Sequence, residues 1–307
     1  MIKKFSSAFF ALLLIIFSSL QAEEEGSPLS VQEYYGYVTS AYQNQDWQTL
    51  IDTCRIVLFY FKDTPFAQDS QYYLGVGYFY LGDYDFANQE LSTYLKEGSS
   101  PKFFEDAIYH KYLIAEKFRD GAKKHLMNWE KAPQWLPAKE DAIKIYDEVI
   151  NTLPYHDLSA KSLFGKARIQ TEFEEFRPSI ETLQLLIRRF PKHELAVESF
   201  LEIGRIYLQQ CKTLSLDPDV LDSCEVNLKK FCHAFPGEER WEEAKSTLDE
   251  LKELFASNLF DTGKFYERTH KKQAALIYYS KVISKFPDSK SAAKSRKRVE
   301  SLNIASN

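Results

Sequence analysis

The sequence predicts an all-α fold in which pairs of helices repeat along the chain. Nearly every long stretch places apolar residues at i, i+3, i+4 and i+7, and no run alternates as a half-buried strand does. Six of the eleven prolines recur at intervals of 36 to 53 residues, most of them after an apolar run. A proline ends a helix because it cannot donate to the helical hydrogen-bond ladder. The helix-stopping prolines are Pro65, Pro101, Pro154, Pro191, Pro236 and Pro287.

The segment 251–289 shows the repeat most clearly. A first predicted helix carries Gly263 and Tyr266 one turn apart, and one face of a second carries Ala275, Tyr279 and Val282. These small and aromatic residues fall where a 34-residue tetratricopeptide repeat has them. One such pair of helices cannot bury its apolar face alone. Residues 30–307 are therefore predicted to form a tetratricopeptide-like helical-repeat solenoid of about five helix–turn–helix units plus a C-terminal capping helix.

Earlier parts of the chain follow the same plan less regularly. In the second unit, Gly75 allows two helices to approach closely, and Gly82-Asp83 suits the tight turn between them. Inserts at Trp129–Pro137 and Lys212–Asp219 lengthen two later units.

Residues 1–22 form a separate segment with the order of a secretory signal. Lys3-Lys4 precedes the apolar run Phe9–Phe17, and small residues lead to Ala22. The apolar run is short for a membrane-spanning helix. We expect a signal peptide over 1–22, cleavage after Ala22, a short linker over 23–29 and an exported protein, with an uncleaved membrane anchor as the alternative.

Catalysis and cofactor binding are not predicted. The chain has no HExxH, GxSxG, Walker loop or GxGxxG pattern. Cys224, Cys232 and His233 lack the spacing of a metal site. Without the two lysines of the signal, 37 basic residues stand against 44 acidic ones, which argues against nucleic acid as a partner.

Export would permit a disulfide. Cys211 ends one predicted helix and Cys224 begins its partner across an insert, so these two thiols are candidates for pairing. The alternative is that both are small apolar residues of the core.

The segment 251–289 also resembles the last repeat of outer-membrane assembly lipoproteins of the BamD/ComL type. Phe265-Tyr266, Ala274-Ala275 and Phe286-Pro287 occur in the order typical of that family. The repeat organisation and the extended third unit are similar too, over about residues 30–290. The sequence differs from the family in lacking a cysteine for lipidation near the signal, and in carrying His270-Lys271 where the family has a glycine.

The resemblance implies a non-enzymatic scaffold in the periplasm, peripheral at the outer membrane. Its partners would be the central protein of a β-barrel assembly machine, bound through the C-terminal repeats, and unfolded outer-membrane proteins, bound through an N-terminal groove. Membrane contact would be indirect, through these partners. The alternative is a soluble periplasmic or secreted adaptor for cell-envelope proteins of peptidoglycan or division, or for host proteins.

Two candidate binding surfaces follow from spacing. Tyr35 and Tyr42 are seven residues apart, as are Tyr72 and Phe79, so each pair shares a helical face and is predicted to line a peptide-binding groove. Packing between repeats is the alternative. The C-terminal helix carries a basic cluster that is either a dock for an acidic partner surface or the solvated face of a cap. The docking residues proposed there are Lys294, Lys297 and Arg298.

Overall fold

The computed structural model describes residues 29–96 and 101–304, and these are almost entirely helical. The predicted all-α helical-repeat fold is confirmed. The described residues form thirteen α-helices. In chain order they are α1 (Val31–Gln43), α2 (Trp47–Tyr60), α3 (Pro65–Leu81), α4 (Tyr84–Lys96), α5 (Phe104–Arg119), α6 (Lys139–Thr152), α7 (Asp157–Glu172), α8 (Phe176–Arg189), α9 (Glu194–Thr213), α10 (Pro218–Ala234), α11 (Trp241–Arg268), α12 (Lys272–Lys285) and α13 (Lys290–Ile304).

The chain divides into two compact bodies. The N-terminal body, Met1–Phe104, contains α1 to α4, and the C-terminal body, Glu105–Asn307, contains the remaining helices apart from the first residue of α5. The expected signal segment, residues 1–22, lies outside the described residues, as do residues 23–28 of the expected linker. Among the residues that the structure describes, no helix is both long and apolar enough to cross a bilayer.

Proline ends four helices as the sequence predicts. α6, α8, α10 and α12 each stop two residues before a proline, because the residue just before the proline leaves the helical conformation. At that residue φ lies between −125° and −132° and ψ between 56° and 69°. Pro65 is an exception to the prediction: α2 already ends at Tyr60, and Pro65 is the first residue of α3, where a missing N–H costs nothing.

In the N-terminal body, α3 lies at the centre. It packs against α1, α2 and α4, and ten of its 17 residues are buried. Its glycines explain how the neighbours come so close. A Cβ added at Gly75 would lie 2.7 Å from Leu91 Cγ on α4, and one added at Gly77 would lie 2.9 Å from Ile51 Cγ1 on α2. The turn after α3 uses Gly82 at φ 90°, as the sequence predicts.

Helices of the C-terminal body alternate between two roles. Each of α7, α9 and α11 contacts both its sequence neighbours and the helix two places further on, whereas α8, α10 and α12 make their main contacts with sequence neighbours only. This is the contact pattern of stacked helix pairs. Five sequence-adjacent pairs of the described helices pack closely in this way, in line with the predicted count of about five: α1–α2, α3–α4, α7–α8, α9–α10 and α11–α12. α13 follows as the predicted capping helix. Ser289 caps α13 by accepting a hydrogen bond from the backbone N–H of Ala292 at 2.9 Å.

A short β-hairpin separates α5 from α6 and was not predicted. Its strands are β1 (Lys123–His125) and β2 (Gln134–Pro137), which pair antiparallel. Side chains still connect the helices on either side. Lys111 on α5 is buried and forms an ion pair with Glu148 on α6 at 2.5 Å, and the Tyr146 hydroxyl donates a hydrogen bond to Glu116.

Candidate protein-interaction surfaces

A groove runs between α8 and α10, with α9 as its floor. Two adjoining cavities of about 410 Å³ and about 330 Å³ form it, and both are lined by Gln184, Tyr207 and Ser223. The floor includes Phe200 and Ile203, which are buried. Along α8 the groove extends from residue 177 to residue 188, which corresponds to about 16 Å of helix. This length and apolar floor suit a short peptide segment.

Basic and acidic residues on the rim of this groove lie toward opposite ends. Arg188 and Lys230 lie toward the C-terminal ends of α8 and α10, whereas Asp219 and Asp222 lie near the start of α10. Within the described part of the chain, no side-chain hydrogen bond or ion pair engages Arg188, Asp222 or Lys230. These charges remain available to a bound segment, and they would favour one orientation of it.

The four aromatic residues predicted to line an N-terminal groove take part in packing. The Tyr35 hydroxyl donates to Asp69 at 2.8 Å, and the Tyr42 ring lies 5.0 Å from the Tyr73 ring. Tyr72 is only 4% exposed and stacks on Phe103 at 4.5 Å, so contact with a peptide would require this ring to leave its packing. Tyr35, Tyr42 and Phe79 are half-buried, and their role in binding stays a prediction.

Two of the three predicted docking residues of α13 line a basic cavity of about 460 Å³. Lys294, Lys297 and Arg298 are all exposed, and Lys294 and Arg298 line the cavity. Sequence reasoning missed the contribution of α11, although two of its basic residues are four apart and therefore share a helical face. The lining residues are Phe260, Lys264, Glu267 and Arg268 of α11, with Lys294 and Arg298 of α13.

Arg298 is held inside the protein's own hydrogen-bond network. It donates to Glu267, which also accepts a hydrogen bond from the Tyr279 hydroxyl at 2.8 Å. Burial raises the pKa of Glu267, but the hydrogen bonds from Arg298 and Tyr279 outweigh it, so the pKa lies below the usual value. Glu267 therefore stays ionised and neutralises Arg298. The positive charge that is free to meet a partner comes from Arg268 and Lys294, whereas Lys264 lies 3.9 Å from Asp261.

Cys211 and Cys224 are free thiols, and both belong to one buried apolar cluster. Burial raises the pKa of Cys224 to about 12 and also raises that of Cys211, so neither forms a reactive thiolate readily at neutral pH. A disulfide between them after export stays a prediction. Among the described residues, no group of three or more His, Cys, Asp and Glu side chains could hold a metal ion.

Comparison with protein families identifies the C-terminal body. A family model described as "YfiO: Outer membrane lipoprotein" matches residues 139–305, which is more than half of the chain. The chain belongs to the YfiO family. The YfiO match spans α6 to α13, and so includes both the groove between α8 and α10 and the basic cavity. The resemblance to BamD-like proteins that the last repeat indicates is thereby supported at the level of this family. No curated protein sequence matches the chain.

Solved structures of helical-repeat proteins also match. A tetratricopeptide-repeat protein from Bacteroides fragilis is 9% identical, with 89% of this chain and 99% of that chain covered and a TM-score of 0.43. A tetratricopeptide-repeat protein from Parabacteroides merdae is 12% identical, with 89% and 98% covered and a TM-score of 0.39.

Proposed function

We propose that this protein is a non-enzymatic periplasmic scaffold, peripheral at the outer membrane, in a machine that assembles outer-membrane β-barrels. Its partners would be the barrel-assembly protein and unfolded segments of outer-membrane proteins. The observation that carries the proposal is the YfiO-family match over α6 to α13, the part of the chain that holds the groove and the basic cavity. The description of that family as an outer membrane lipoprotein supports the location.

The two surfaces suit different partners. The basic cavity presents Lys264, Arg268 and Lys294, which fit an acidic surface on the folded barrel-assembly protein. The groove between α8 and α10 has an apolar floor and a polarised rim, which fit an extended or helical segment of an unfolded chain. A scaffold with both surfaces could hold a client segment beside the protein that inserts it.

The basic cavity can be tested by charge reversal. In the triple variant Lys264→Glu, Arg268→Glu, Lys294→Glu, we expect association with the purified soluble domain of the barrel-assembly protein to slow by about tenfold or more at low salt, because unscreened charge steers encounter. The difference should shrink as the salt concentration rises to 0.5 M. Surface plasmon resonance measures both association rates.

The matched control is Arg168→Glu, Lys229→Glu, Lys281→Glu. It makes the same change in net charge at three exposed positions of the C-terminal body that do not line the basic cavity. An equal loss of association rate in both variants would show that net charge, and not the cavity, matters. If the unmodified protein does not bind the barrel-assembly domain at all, the proposed function is wrong, and an adaptor for other envelope or host proteins becomes the better interpretation.

A further inference from the structure

The β-hairpin between α5 and α6 leaves three large apolar side chains more than 60% exposed to solvent. We call residues 123–137 the tryptophan hairpin. Met127 is 86% exposed, Trp129 62% and Trp135 68%. Side chains of this size are usually at least partly buried in soluble proteins, and their concentration in one short segment indicates a surface that something else covers.

Two local irregularities help to hold these side chains outward. Met127 adopts φ 56° and ψ 23°, a left-handed conformation that non-glycine residues rarely take. Trp135 is the extra residue of a β-bulge, because Lys124 pairs with Leu136 while His125 pairs with Gln134. Bulges of this kind redirect a side chain away from the regular face of a strand.

Other residues fix the tryptophan hairpin to the helices. His125 and Ala132 are buried, and Lys124 forms an ion pair with Asp141 on α6. The hairpin is therefore fixed in place, with one side packed and a tip that carries apolar side chains. Such a tip can insert into an apolar environment without unfolding.

The charge of the tryptophan hairpin indicates which environment the exposed side chains enter. Between residues 123 and 139 the chain has four lysines and one glutamate, although its net charge as a whole is −5. Lys124 and Lys139 are paired with Asp141 and Glu172. Lys123 and Lys131 are exposed, and no hydrogen bond or ion pair joins their side chains to the described residues. Tryptophan beside free lysine is the composition of segments that lie in the interface of an anionic bilayer.

We propose that the tryptophan hairpin binds the surface of an anionic phospholipid bilayer, with Met127, Trp129 and Trp135 among the headgroups and Lys123 and Lys131 on the lipid phosphates. The protein then contacts the membrane directly, whereas the sequence predicts contact only through partners. This inference goes beyond the proposed function and does not depend on it, since the lipid contact requires no second protein.

Tryptophan fluorescence tests the insertion. The chain has four tryptophans, so the double variant Trp47→Phe, Trp241→Phe leaves only Trp129 and Trp135 as reporters. The full chain is mixed with vesicles of phosphatidylcholine alone, or with about 30% phosphatidylglycerol, a content high enough for electrostatic attraction. We expect the emission to shift to shorter wavelength with the anionic vesicles and to be quenched when their lipids carry bromine near the headgroup. Unchanged emission would overturn the proposal.

Vesicle co-sedimentation tests which residues act. Trp129→Ala, Trp135→Ala should lower the bound fraction on anionic vesicles by about tenfold or more, because the apolar contact area that drives interfacial binding is lost. The matched control, Phe59→Ala, Tyr155→Ala, removes two aromatic side chains that are 75% and 82% exposed elsewhere and should leave binding unchanged. Far-ultraviolet circular dichroism checks that each variant is folded.

Two further measurements test the contribution of charge and distinguish a lipid surface from a protein partner. Lys123→Glu, Lys131→Glu should weaken binding to anionic vesicles and have little effect on binding to neutral ones. Equal sedimentation of the tryptophan variant and the unmodified protein would refute the lipid contact. It would be refuted too if the emission of Trp129 and Trp135 shifted on adding the purified barrel-assembly domain but not on adding vesicles, because the hairpin would then be a protein interface.

Discussion

Only a hydrogen atom separates the backbone of α11 from the Tyr279 ring at Gly263. A Cβ added there would lie 2.6 Å from Tyr279 Cε1, well inside van der Waals contact. The ring cannot move aside easily, since Tyr279 is fully buried and its hydroxyl is held by Glu267. The close approach of α11 and α12 thus depends on the absence of a side chain at this position.

We therefore expect Gly263→Ala to destabilise the protein by about 1–3 kcal/mol through overpacking. The measurement is urea unfolding followed by far-ultraviolet circular dichroism. Gly36→Ala is the matched control, because Gly36 also lies within a helix but no heavy atom lies within 4 Å of its added Cβ. That variant should gain up to about 1 kcal/mol, from helix propensity alone. If the two substitutions had the same effect, the contact with Tyr279 would not limit the packing.

Single residues differ in how well the sequence predicts them. Gly263, Ala275 and Val282 are buried as their spacing indicates, because helical periodicity alone decides which face they occupy. The outward direction of Trp135 has no such signal. It depends on the strand register, and a shift of one residue reverses the side chain. The packing of Tyr72 could not be predicted either. Its spacing from Phe79 shows that the two side chains share a helical face, but not whether that face meets solvent or packs against Phe103.

α9 and α11 are joined by a network of two arginines and three glutamates. Arg205 on α9 donates to Glu198 at 2.9 Å and Glu202 at 2.8 Å, and it also reaches Glu243 on α11. Arg240, which precedes α11, donates to Glu198 at 2.6 Å. Glu198 therefore links the two arginines. Burial raises the pKa of Glu198, but the hydrogen bonds from Arg240 and Arg205 outweigh it, and the pKa lies below its usual value.

A lowered pKa in the folded state gives this contact a defined pH dependence. Glu198 stabilises the fold above its unfolded pKa of about 4.5, and this stabilisation is lost as the pH falls through the lower, folded value. Glu198→Gln should cost about 1 kcal/mol at pH 7 and progressively less below pH 4.5, which urea unfolding at pH 7 and pH 3 would show. Glu181→Gln, in the exposed pair with Arg177, should change stability by only a few tenths of a kcal/mol at either pH. A constant difference between Glu198→Gln and the unmodified protein across this range would contradict the linkage.

Helix ends were predictable where proline determines them, since the chemistry of the ring leaves no alternative at the residue before it. The hairpin between α5 and α6 was harder to predict. α5 is followed by Gly121 at φ 102° and not by a proline, and the tryptophan hairpin then separates it from α6. The two strands have three and four residues, which is too short for an alternating pattern to be detected. The sequence therefore showed this segment only as an insert that lengthens the third unit.

The C-terminal body has the features of an independently stable fold. Its buried clusters are formed from its own helices, among them the Phe200–Phe231 contact between α9 and α10 and the group around Leu251 and Phe255 of α11. Both candidate binding surfaces lie within it, and so does the whole YfiO-family match. The sequence indicated the fold of this part and its family. The groove could not be predicted from the sequence, because its walls come from separate helices that are brought together only by packing.

A fragment of residues 105–307 should therefore fold alone and keep the binding activity that we propose. We expect cooperative thermal unfolding by circular dichroism, because the apolar contacts that stabilise stacked pairs are made between neighbours within the fragment. Its affinity for the purified barrel-assembly domain should be within about twofold of that of the full chain, equivalent to less than 0.5 kcal/mol. Lys264→Glu, Arg268→Glu, Lys294→Glu in the fragment should slow association as in the full chain. A fragment that folds but no longer binds would place an essential contact before Glu105, where the half-buried Tyr35, Tyr42 and Phe79 would be the first residues to substitute.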